Sequence, residues 1–82
     1  MEKDKTSLYN IDEIQDALAL TTLDEVYDAL KEKEYEPISQ IVGYLVSGDS
    51  GYITNHKGAR NKILSLDRTN ILEALVREYL EK

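Results

Sequence analysis

Residues 35–53 read YEPISQIVGYLVSGDSGYI, and the fold follows from how this stretch is parsed. It holds the only proline, Pro37, and three of the four glycines, Gly43, Gly48 and Gly51. Three of the six tyrosines, Tyr35, Tyr44 and Tyr52, lie here as well. Glu36-Pro37 breaks any helix arriving from upstream, because the residue before proline avoids the helical region. Pro37 is then suited to the first position of a new helix, where its missing N–H costs nothing. Ile38, Ile41, Val42 and Leu45 fall at i, i+3, i+4 and i+7, the spacing of one apolar helix face. Tyr44 and Val46 widen that face, so this helix is expected to be covered on more than one side. Gly48 supplies a left-handed stop. The stretch predicts a helix over 37–47, then a loop over 47–51.

Upstream, Ile11, Ile14 and Leu18 at i, i+3 and i+7 permit a short helix over about 11–19. Leu20-Thr21-Thr22 is expected to interrupt it. Thr22 followed by Glu25 fits a capping box. Leu23, Val26, Tyr27 and Leu30 then give an apolar stripe for a second helix reaching about Lys33. Its acids Asp24, Glu25 and Asp28 lie toward the positive end and Lys31 and Lys33 toward the negative end, as the macrodipole favours. Residues 1–10, MEKDKTSLYN, show no periodicity and read as a flexible tail.

Downstream, Thr54 or Asn55 is placed to cap a helix of about 55–65 with Ala59, Ile63 and Leu66 inside. Asp67 is placed to cap a last helix over 68–81, with Ile71, Leu72, Leu75, Val76, Tyr79 and Leu80 turned inward. No strand alternation competes. The predicted class is all-α: four to five short helices in one compact core, a single helical domain over 11–82 completed by dimerisation.

Composition supports that expectation of a second copy. Eighty-two residues make one domain, and such a chain buries only roughly 60–65% of its unfolded surface. With no cysteine, neither a disulfide nor a thiolate metal site can add stability. The longest apolar runs fall far short of the roughly 20 residues that span a bilayer, and no leader pattern is present. The expectation is a cytoplasmic protein without membrane insertion. The net charge of −6 is uneven: residues 1–36 carry eleven acids against four bases, net −7, and residues 37–82 five against six, net +1. That balance argues against nucleic acid as a partner.

Function-bearing candidates are few. His56, Lys57, Arg60 and Lys62 form the one basic cluster, with Lys57 and Arg60 spaced to share a helix face near a helix start. It is a candidate receiver for an acidic partner or a phosphate, or else a solvated helix face. His56 stands alone among metal-ligating and acid–base groups and reads as a surface histidine. Ser47-Gly48-Asp49-Ser50-Gly51 lacks the features of a P-loop or nucleophile elbow and reads as a turn. Tyr35, Ile41, Gly43, Tyr44, Leu45 and Tyr52 are candidates for packing or a dimer interface. Tyrosine suits either role, and a mid-helix glycine can mark a close approach. No paired catalytic groups occur, so the chain reads as a non-enzyme without cofactors.

One resemblance goes further. Val26-Tyr27-Asp28-Ala29-Leu30, Tyr35, Pro37-Ile38, the run Gln40-Ile41-Val42-Gly43-Tyr44-Leu45, Ser47-Gly48-Asp49, Tyr52-Ile53, His56-Lys57 and Ala59-Arg60-Asn61 follow one another as in the IreB family (YrzL type). EALVREYL over 73–80 fits that family's last helix. The chain departs from the family pattern at Glu34 and Glu36, and at Ser50 and Thr54, where glycine, asparagine and proline are expected. The resemblance implies a homodimeric cytoplasmic regulator of low-GC Gram-positive bacteria. Such a protein is a substrate of a membrane-anchored PASTA-type Ser/Thr kinase and its phosphatase. It restrains a cell-envelope stress response linked to cephalosporin resistance, through an unknown downstream protein. It also implies phosphorylation in the tail, at Thr6. The competing reading from the residues themselves is a helix-turn-helix-like nucleic-acid-binding module using the basic helix near 55–65.

Overall fold

The computed structural model describes residues 11–33 and 35–81. Four α-helices follow in order: α1 (Ile11–Glu32), α2 (Pro37–Ser47), α3 (Ala59–Leu64) and α4 (Arg68–Leu80). Two single-turn 3-10 segments, Ser50–Tyr52 and His56–Gly58, stand between α2 and α3. No strand occurs among the described residues, and the class is all-α.

α1 corrects the expected break. It runs unbroken for 22 residues, roughly 33 Å at 1.5 Å per residue. Threonine costs a helix at most about 0.7 kcal/mol relative to alanine. The neighbours Ala17, Leu18, Ala19 and Leu20 favour helix, and the helix packs on both α3 and α4. Thr22 is therefore not a cap, and Glu25 reaches Lys62 of α3 at 3.6 Å instead.

α2 has the expected bounds. Pro37 opens it with no side-chain cap from Glu36, and Gly48 closes it at φ 78°, donating its N–H to Tyr44 O at 2.7 Å. Ser47 Oγ donates back to Gly43 O at 2.7 Å, and Arg68 Nη1 donates to Leu45 O at 3.0 Å. Asp49 donates its N–H to Ser47 Oγ at 3.0 Å, so Leu45 O has no helical partner and the Arg68 guanidinium meets it. The reversal before α2 forms without glycine: Lys33 and Tyr35 both donate to Leu30 O, each at 3.2 Å.

The expected helix over 55–65 is divided. Lys57 (φ 54°) and Gly58 (φ 73°) adopt left-handed conformations that an α-helix cannot contain, so α3 starts only at Ala59. Asn55 still supplies an acceptor, its Oδ1 taking the N–H of Arg60 at 3.2 Å. Thr54 donates its own N–H to Gln40 Oε1 at 2.9 Å, fastening the loop to α2. Asp67 caps α4 as expected, its Oδ1 accepting from Thr69 N and Asn70 N.

The core draws on every helix and on the loop. Val26 and Leu30 of α1, Ile53 of the loop, Ile63 of α3 and Ile71 of α4 are each 0% exposed. Ile41, Tyr44, Ala29 and Ala59 complete the cluster, with Leu23, Tyr27, Leu45, Leu66 and Leu75 packed against it. Several positions expected inside are not. On α4 only Ile71 and Ala74 are buried, while Leu72, Val76, Tyr79 and Leu80 are exposed. Ile11, Ile14 and Leu18 on α1, and Ile38 and Val42 on α2, are exposed as well. Each helix has a wide apolar face, but four short helices cover only one strip of it.

Ile63→Ala is expected to cost about 2–5 kcal/mol by opening a cavity at the centre of this cluster. Asp67→Ala is expected to cost about 1 kcal/mol through the lost cap, and Asp67→Asn much less. Urea denaturation followed by circular dichroism reads all three.

Candidate functional site

The basic cluster is brought together with acids of α1. His56 Nε2 lies 2.6 Å from Glu32 Oε1, and Lys57 Nζ lies 3.0 Å from Glu32 Oε2. Lys62 faces Glu25, and Arg60 turns away, donating its Nε to Ile53 O at 2.9 Å. Lys57 and Arg60 therefore do not share a helix face, because Lys57 belongs to the left-handed turn. The cluster is a latch that ties the C-terminal end of α1 to the turn preceding α3. His56, read from sequence as a surface residue, is about three-quarters buried, its side chain 23% exposed. Its hydrogen bond, with that from Lys57, holds the Glu32 carboxyl below the ordinary carboxylate range. Glu32 itself was not legible as a site residue; only its place in the acidic half hinted at a basic partner.

A second latch was invisible in sequence because its members lie 61 positions apart. Arg77 of α4 donates its Nε to Asp16 Oδ2 at 2.7 Å and its Nη2 to Oδ1 at 3.1 Å, a two-point grip on α1. The guanidinium hydrogen bonds hold Asp16 below its ordinary value, and Asp16 in turn raises Arg77.

The packing candidates separate into two groups. Ile41 and Tyr44 are core residues, and Leu45 is half-buried. Tyr35 and Tyr52 are exposed. Gly43 does mark a close approach, though by a ring rather than a helix. A Cβ added there would stand 2.8 Å from Tyr52 Cε1 and 2.9 Å from Cγ, so the phenol lies directly on the helix backbone.

Beside this group runs an apolar groove of about 250 Å³. Leu23 and Tyr27 of α1, Ile38 and Val42 of α2 and Leu75 of α4 line it. Ile38 is 62% exposed and Val42 51%. Leu72, Val76 and Tyr79 extend the apolar character of α4 beyond the groove. The sequence reading assigned these side chains to the core; their spacing was right and their covering was absent.

Among the described residues no group of three or more His, Cys, Asp or Glu side chains is arranged to hold a metal ion. No helix among the described residues is long and apolar enough to cross a membrane. Thr6, the expected phosphorylation position, lies outside the described residues, as does the rest of the tail over 1–10.

Two ionic latches, a small shared core and a broad apolar face define a small all-α domain. Comparison with known families places it further: residues 4–81 match the family described as IreB regulatory phosphoprotein. That match spans nearly the whole chain, and the protein belongs to the IreB family. Its role is therefore that of a regulatory phosphoprotein, in keeping with the reading as a non-enzyme.

Both latches make stability depend on acid. Asp16 and Glu32 are depressed in the folded chain below ordinary values of 3.8 and 4.5. Their contribution is complete above those values and is lost as pH falls through the lower folded ones. Thermal melts are expected to be level from pH 7 to 5 and to drop steeply below pH 4. Glu32→Gln and Asp16→Asn are expected to melt lower at pH 6 and to lose less between pH 5 and 3.

Proposed function

We propose that this protein is the substrate of a membrane-anchored PASTA-type Ser/Thr kinase, that the phosphate is carried on Thr6, and that a cognate phosphatase removes it. It works in the cytoplasm as a homodimer, by contact with a downstream protein. There it acts as a negative regulator of the cell-envelope stress response tied to cephalosporin resistance. The observation that carries this reading is the family match across residues 4–81, which includes the Thr6 position. The apolar groove supports the homodimer. A face bearing Ile38, Val42 and Leu75 is costly to leave in water, at about 25 cal/mol for each Å² of apolar surface.

The geometry weakens the nucleic-acid alternative. α3 has six residues, roughly 9 Å, too short to present a row of side chains along a groove. The cations around it already face Glu32, Glu25 and a backbone carbonyl.

Incubation with the kinase catalytic domain and ATP is expected to add one phosphate, mapped by mass spectrometry to Thr6 and absent from Thr6→Ala. Transfer to another residue, with Thr6→Ala labelled as well as wild type, would refute the site. For the dimer, Val42→Asp with Val76→Asp is expected to halve the mass in sedimentation equilibrium while the helical circular dichroism is kept. Both side chains are exposed, so the change does not touch the core.

A further inference from the structure

A second groove, of about 440 Å³, lies between the N-terminal half of α1 and the C-terminal half of α4. It shares no residue with the apolar groove beside α2. Its floor is small and aliphatic: Ala17 and Leu20 from α1, and Ala74, 1% exposed, from α4. Its rim is acidic, with Glu13 on one side and Glu78 and Glu81 on the other, all three exposed. The one cation in the lining, Arg77, is held by Asp16 in the two-point contact described above. Beyond the matched Asp16–Arg77 pair, the groove therefore presents three carboxylates and no further cation in its lining. Carboxylates above a low-dielectric floor concentrate a negative potential within the cleft.

A second copy of this chain is a poor occupant. Five of its ten lysines and arginines already meet carboxylates or carbonyls: Lys57 on Glu32, Lys62 on Glu25, Arg60 on Ile53, Arg68 on Leu45 and Arg77 on Asp16. The rest of the surface is dominated by acids, at a net charge of −6, so a second copy brings like charge to the rim. A trough between two helices accepts a third helix, whose ridges fill it.

We infer that this groove is the docking site for a basic amphipathic helix of a partner protein. A seam of alanine and leucine side chains rests on Ala17, Leu20 and Ala74. Lysine and arginine on either flank meet Glu13, Glu78 and Glu81. The inference needs neither Thr6 phosphorylation nor the dimer, and it places partner contact on a surface separate from self-association.

The test uses the full chain and two fluorescein-labelled synthetic helical peptides with the same Ala/Leu seam. One carries Lys and Arg flanks and the other Glu flanks. Fluorescence anisotropy is expected to show saturable binding of the basic peptide alone, weakening as NaCl is raised. Amide shifts in NMR are expected to concentrate over 13–20 and 74–81. Glu13→Lys with Glu78→Lys is expected to weaken binding roughly tenfold or more, and the isosteric pair Glu78→Gln with Glu81→Gln by a smaller factor. Glu36→Lys, which alters an exposed acid remote from the groove, is expected to leave affinity unchanged. Sedimentation is expected to be unaltered and the helical circular dichroism kept in all variants, which keeps this test distinct from that of the dimer. No saturable binding, shifts spread over the acidic surface, or an equal loss in Glu36→Lys would overturn the assignment.

Discussion

The burial of Val26 and Leu30 against Ile53, Ile63 and Ile71 is the interaction on which the other features depend. These five side chains come from two turns of α1, one loop position, α3 and α4, so none of these elements closes the core alone. Ile53 reaches it because the chain after α2 is steered inward. Gly48 turns the backbone, Asp49 accepts the N–H of Gly51 at 2.8 Å, and Gln40 accepts that of Thr54. The 3-10 turn between them lays Tyr52 on Gly43. A glycine in mid-helix costs about 1 kcal/mol, and here it admits a ring face that no Cβ would tolerate.

Much of this was legible before any coordinates. Pro37 and Gly48 bound α2 on both sides because each acts through its own backbone: a fixed φ in one, an accessible left-handed φ in the other. Asp67 was legible for the same reason, since a cap needs only two nearby N–H groups. Thr22 misled because an identical local signal has no force when tertiary contacts carry a helix through it. Lys57 was equally opaque. Nothing in its type announces a left-handed conformation, and its partner Glu32 sits 25 positions away. The IreB relationship was readable from the run of residues through Gln40–Leu45 and its flanks. The Asp16–Arg77 grip was not, because periodicity describes one helix at a time.

The largest departure from the sequence reading concerns coverage. Ile11, Ile14, Leu18, Val42, Val76 and Tyr79 all satisfy the helical pattern, and all are exposed. Periodicity reports which face is apolar, and it is silent on whether the same chain covers that face. In a protein of 82 residues with a core this small, apolar surface left over is surface on which contact with other molecules is favourable.

α1 divides unequally between its two tasks. Its C-terminal half places Val26, Ala29 and Leu30 in the core, whereas its N-terminal half rests on α4 through Ala19, Ala74 and the Asp16–Arg77 grip. One end of the helix thus serves the shared core, and the other serves an extended contact with α4. Val26 and Leu30 are fully buried, whereas Ile11, Ile14 and Leu18 are exposed, so burial along α1 is heaviest in its C-terminal half. Residues 1–10 join the chain at the less buried half, so the first contacts met along the fold are those with α4 and not those of the core.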